Sequence, residues 1–183
     1  MLRSPVIRTA LVFVLSYVIA LAFWIQVKDY YGYAVTFVSS KFVAGLKNAR
    51  MTEIMEKGDT IEATFEPYGK TRGMLVDIPF KTSNYTFNVP LTIAIMAAFW
   101  PHLARRGRAY AEACLLLLTV HLLYVFSYGA QQMTAVLIDR GIEQANVPKE
   151  FFYEFLWTFT DNMIIRFEPF LIGSYLFFRF RRR

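Results

Sequence analysis

Between Thr9 and Gln26 the chain carries no charged residue, and this run restricts its fold more than any other feature. A bilayer core of ~30 Å needs about 20 helical residues at ~1.5 Å each. Residues 6–27 are enough. Arg3 and Arg8 flank the run like the basic start of a signal peptide, and Ala20-Leu21-Ala22 resembles a cleavage site. The apolar stretch is longer than the ~7–15 residues of such a signal, so residues 1–27 read as an uncleaved signal-anchor helix.

Three further hydrophobic stretches follow. Asn88 is placed to cap a helix that starts with Pro90 in its first turn, and residues 89–104 form a second, short span. The third occupies residues 113–138, with an outer extension or a bend near Gly129. Residues 139–157 are a loop and the start of an amphipathic helix whose first turn holds Pro148. The fourth span is 158–178. Composition agrees: apolar residues make up 56% of the chain and charged ones 19%, against about 45–50% and 25% in soluble domains. Eighteen Phe and eleven Tyr suit lipid-facing helices and interfacial belts. A single cysteine excludes an intrachain disulfide and a cysteine-based zinc site.

Arginine sets the direction. Four crossings put Arg3, Arg8, Arg105, Arg106, Arg108, Arg179, Arg181, Arg182 and Arg183 on one side, accompanied by one acid, Glu112. Short loops rich in Lys and Arg stay cytoplasmic. Both termini and the loop 105–112 are therefore expected inside, and residues 28–88 on the outer, periplasmic side of a bacterial inner membrane. The tail 179–183 is a topology signal, and Arg105, Arg106, Arg108, Arg181, Arg182 and Arg183 are expected to touch lipid headgroups. The net charge of +6 is accounted for in this way, which argues against nucleic acid as a partner.

The outer segment changes its period partway along. Tyr31, Ala34, Val35, Val38, Phe42 and Leu46 recur at helical spacing, so residues 30–47 read as an amphipathic, interfacial helix. Ile61, Ala63 and Phe65 then alternate with polar neighbours, as do Met74, Val76 and Ile78 after a turn at Pro67-Tyr68-Gly69. Residues 50–80 are thus an antiparallel β-meander. Three short strands need a second layer, either the 30–47 helix or a partner. The fold class is mainly α: a polytopic membrane protein of about four transmembrane helices with a small antiparallel β-meander outside the membrane.

The polar groups at membrane depth are the candidate functional residues. Counting helix rise from the basic ends places His121 and Arg166 ~20 Å in and Glu168 ~17 Å in, with Asp161 near the outer headgroups. Ionisable groups there are expensive unless paired or hydrated, and are functional by default. His121, Arg166, Glu168 and Asp161 are thus candidates for a polar relay. A later helix start, or a break at Pro169, would instead leave Arg166 and Glu168 near the outer surface. Glu154, Asp161 and Glu168 recur every seven residues and so share a helical face that could dock a partner; a solvated face is the plainer reading for Glu154 and Glu150.

The stretch Asp77-Ile78-Pro79 through Tyr85-Thr86-Phe87-Asn88-Val89-Pro90-Leu91 runs a strand into an aromatic, proline-initiated membrane helix. Here, and in its overall plan, the chain resembles the membrane proteins that accompany exosortase H in bacterial envelope systems. The resemblance implies an accessory role in surface-protein sorting or export. No catalytic motif defines that group, so no functional residue is carried over. Cys114 is expected to be a buried structural cysteine and not an exosortase-type nucleophile. It lies near the inside arginines, is followed by Leu115–Leu118, and stands ~10 Å along the axis from His121. No catalytic residue, metal site or cofactor is assigned. The leading expectation is a non-enzymatic scaffold subunit that meets other membrane proteins or itself, with the lipid bilayer as its solvent. A transport or ion-conducting subunit using His121, Arg166 and Glu168 is the alternative, and a membrane-embedded enzyme comes third.

Overall fold

The computed structural model describes residues 5–68 and 73–181. Arg3, Arg182, Arg183 and the Gly69 end of the expected turn lie outside the described residues. The chain is mainly helical, with one three-stranded antiparallel sheet.

Helix α1, Pro5–Leu46, is 42 residues long. It fuses the two helices expected at 1–27 and 30–47. The polar pair Lys28-Asp29 does not break the helix, because neither residue removes a backbone donor. The stop comes at Asn48, which takes the left-handed conformation at φ 46° while Lys47 N–H bonds Val43 O at 3.0 Å. At ~1.5 Å per residue α1 spans ~63 Å, about twice a bilayer core.

The sheet follows directly: β1 (Ala49–Lys57), β2 (Thr60–Pro67) and β3 (Val76–Lys81), in the order β1-β2-β3. Ala63 stands opposite Ile54 on one side and Ile78 on the other, with a register shift between Met51 and Glu53. The period-two pattern buries one face: Ile61, Ala63, Phe65, Val76, Ile78 and Phe80 are all covered. Its second layer is the upper half of α1, through Val35, Val43 and Ala44, together with Val125, Met133 and Leu137 of the long helix Arg106–Asp139. At Gly32 a Cβ would come within 2.5 Å of Thr82 Cγ2, so the missing side chain lets α1 approach the segment after β3.

A short helix α2 (Ser83–Thr86) leads into α3 (Val89–Phe99) and a 3₁₀ turn, Trp100–His102. Helix α4 then runs unbroken through Arg106–Asp139. Helix α5 (Val147–Phe159) is capped by Asn146, whose side chain accepts from Lys149 N–H. It continues through a π-helical turn, Thr160–Ile165, into α6 (Arg166–Phe180). Leu103 and Arg181 pair as an isolated antiparallel bridge, and Ala104 N–H donates to Phe180 O at 2.6 Å. The expected 105–112 loop is instead the first two turns of α4, and the short connection before it, residues 103–105, meets the C-terminal segment at one end of the molecule while the sheet occupies the other. Two helical stretches, Val6–Leu46 and Arg106–Asp139, are long and apolar enough to cross a membrane. Four crossings are not reached on length and apolarity, because α3 has 11 residues and the last stretch carries Asp161, Arg166 and Glu168.

Candidate functional site

Pro169 shapes the site. A proline inside a helix has no N–H and strands the carbonyl four residues earlier, here that of Ile165. Asn88 Nδ2 donates to this carbonyl from the start of α3. The expected helix cap at Asn88 is not what its side chain does: it makes no cap hydrogen bond. With Ile165 O satisfied and the π turn absorbing the ring, the helix passes through Pro169 unbroken. Glu168 is thereby held inward.

Glu168 Oε2 lies 3.3 Å from His121 Nε2, and both side chains are completely buried. On the other side of the imidazole, Nδ1 lies 2.7 Å from the Tyr31 hydroxyl. The histidine therefore bridges α1, α4 and α6. Aromatic edges enclose it: Tyr31 and Tyr85 stand 5.6 and 5.8 Å from its ring centre, and Trp24 packs against Tyr31 at 5.2 Å. Tyr85 is anchored in turn by donating to Gly32 O at 3.2 Å. Three proton arrangements fit. The phenol donates to Nδ1 while Nε2–H donates to the carboxylate, an imidazolium donates to both neighbours, or Nδ1–H donates to the phenol oxygen while a protonated Glu168 donates to Nε2. Glu168 accepts in the first two and donates in the third. Its second oxygen, Oε1, is buried with no hydrogen-bond partner among the described residues.

The other expected residues lie elsewhere. Arg166 is exposed, because residues two apart on a helix face different ways. It does not join His121 and Glu168. Asp161 is half-buried within reach of the Tyr124 hydroxyl, which also has Asn84 beside it. Nor does the face through Glu154, Asp161 and Glu168 persist: Glu154 is exposed and Glu168 buried. The π turn between them holds extra residues per turn and rotates everything beyond it relative to α5.

At the other end, Arg108 Nε and Arg179 Nε hold Glu112 at 3.0 and 3.2 Å. Arg106 lies over the Trp100 ring at 4.7 Å, Arg181 over Phe177 at 5.5 Å, and Arg105 starts α4 in the left-handed conformation. Cys114, expected to be buried, is exposed and lines an apolar cleft of about 310 Å³ with Tyr31 and Thr92.

Two features escaped the sequence reading. Tyr31 looked like one more apolar position of a helical stripe, and its one signal was a phenol that needs a partner when buried. The second lies at the sheet end, where Lys47 Nζ is 3.6 Å from Glu143 Oε2 and 4.5 Å from the Tyr153 ring centre, and Lys149 also pairs with Glu143. Burial lowers the Lys47 amine from its usual range, against the pull of Glu143. Burial alone would raise the Glu143 carboxyl, but Lys149 and Lys47 outweigh it and hold it below the ordinary carboxylate value.

These features define a mainly helical protein with two helices long and apolar enough to cross a membrane, a small sheet packed at one end and a buried phenol–imidazole–carboxyl cluster between its helices. Residues 3–180 match the family described as exosortase H-associated membrane protein, and the chain belongs to that family. No curated protein and no solved structure matches it.

Proposed function

We propose that this protein is a non-enzymatic accessory or scaffold subunit of a cell-envelope membrane complex, working beside an exosortase in surface-protein sorting or export. The family match over nearly the whole chain carries this reading. In it the chain crosses a bacterial inner membrane four times, with residues 6–27, 89–104, 113–138 and 158–178 as spans. Both termini are cytoplasmic, and the sheet stands in the periplasm. The gathering of Arg105, Arg106, Arg108, Arg179 and Arg181 at the end opposite the sheet supports that direction. Neighbouring membrane proteins or a second copy are its partners, alongside the bilayer. The test is crosslinking in native membranes followed by identification of the captured proteins. Capture of an exosortase is expected; a strictly monomeric protein that copurifies with nothing in mild detergent overturns the reading.

A second reading is favoured by one observation, the chain of hydrogen bonds from Tyr31 through His121 to Glu168. A phenol, an imidazole and a carboxyl in series can pass a proton, which suits a transport or ion-conducting subunit. Arg166 takes no part in this version. If His121→Ala and Glu168→Gln each leave transport and growth phenotypes unchanged, this reading is lost.

A further inference from the structure

At the arginine end three adjoining cavities share Thr9 and His102 in their walls. The first, about 580 Å³, runs between α1 and α3 along apolar side chains such as Ala10 and Phe13. The second, about 460 Å³, opens beside Arg8, and the third, about 540 Å³, beside Arg181. An apolar groove thus ends in a basic mouth. The acid at this end, Glu112, is already held by Arg108 and Arg179. Among the described residues no carboxylate pairs with Arg8 or Arg181, the two arginines that line these cavities. The mouth therefore has cations to spare, and apart from Thr9 and His102 the walls of the groove are apolar side chains.

We propose that this end binds one anionic phospholipid, its phosphate among Arg8, His102 and Arg181 and one acyl chain in the α1–α3 groove. Basic pockets between membrane helices recognise such headgroups. A free phosphate would fill the mouth and leave the groove empty, whereas a lipid uses both. The proposal rests on the membrane-spanning reading above and goes beyond general contact between surface arginines and headgroups.

The test uses the full chain reconstituted into nanodiscs of phosphatidylcholine mixed with phosphatidylglycerol, with retained lipid counted by native mass spectrometry after transfer to detergent. Phosphatidylglycerol is expected to be retained over phosphatidylcholine. The double variant Arg8→Gln, Arg181→Gln lowers that preference roughly thirtyfold, the equivalent of ~1 kcal/mol per cation. Ala10→Trp fills the groove and lowers retention without changing charge, while Lys81→Gln, exposed on the sheet and outside the three cavities, leaves it intact. Equal retention of both lipids overturns the proposal, as does an equal loss in Lys81→Gln. Displacement by inorganic phosphate combined with no effect of Ala10→Trp reduces the site to a simple anion site and also overturns it. Failure to enter nanodiscs defeats the spanning reading together with the lipid site; entry without preference defeats the lipid site alone.

Discussion

His121 Nε2 and Glu168 Oε2 meet at 3.3 Å across 47 residues of sequence, with neither side chain exposed to solvent. Each group is the other's main substitute for water, and the pair ties α4 to α6 at the level where α1 supplies Tyr31. Removing either partner therefore strands the other, which is a larger loss than the bond itself.

Stability in detergent should show that asymmetry. His121→Leu and Glu168→Leu are each expected to destabilise the fold by about 3 kcal/mol. The double Leu variant should fall short of the sum by roughly 0.5–3 kcal/mol. Strictly additive losses in a thermal or denaturant titration would mean that the two residues are not coupled.

Asn88 offers a cleaner experiment, because its role follows from Pro169. Asn88→Ala leaves the Ile165 carbonyl without a donor and should lower stability by about 1–3 kcal/mol. Asn88→Asp, similar in size but unable to donate when ionised, should do no better. In the Pro169→Ala background the backbone can supply its own N–H, and the effect of Asn88→Ala should shrink. An unchanged effect in that background would show that Asn88 acts through something other than Ile165 O.

The sheet end has its own pH dependence. The folded Glu143 carboxyl sits below its ordinary value of 4.5, so the stability it contributes is present above that value and is lost as pH falls through the folded pKa. Comparing melting temperatures of the parent and Glu143→Gln should show a difference at neutral pH that closes once the solution is more acidic than the folded pKa. A difference that persists or grows in acid would reverse the sign of this linkage.

Direction across the membrane can be read with single cysteines in a Cys114→Ala background. Glu56→Cys and Gln144→Cys should react with an impermeant maleimide added to intact spheroplasts, while Gly107→Cys should react only after permeabilisation. Labelling of Gly107→Cys from outside would contradict the four-crossing arrangement.

Much of the sheet was legible because strand periodicity is local: Ile61, Ala63 and Phe65 alternate with Glu62 and Thr64 whatever packs on them. The common depth of His121 and Glu168 could likewise be counted from the arginine ends, since helix rise is nearly constant. Rotation about a helix axis was not legible. One π turn decides that Glu168 points inward while Glu154 does not, and nothing in Thr160–Ile165 announces it. The role of Asn88 was hidden for a related reason. It satisfies a carbonyl 77 positions away, and only the folded arrangement brings the two together. The separate helices expected at 1–27 and 30–47 followed from a change in apolar pattern, and such a change does not interrupt backbone hydrogen bonding, so α1 runs through both.

Because α1 is one helix from Pro5 to Leu46, its two halves cannot be adjusted independently. A hinge at Lys28-Asp29 would let the sheet settle on whatever surface it met; an unbroken rod does not. In the proposed membrane arrangement, the tilt that lipid or a neighbouring helix imposes on the spanning half is passed on as a displacement of the sheet, with the lever arm of the whole helix. A partner that grips α1 in the bilayer thus also dictates where the β-strands are presented, so recognition at one depth carries information to the other.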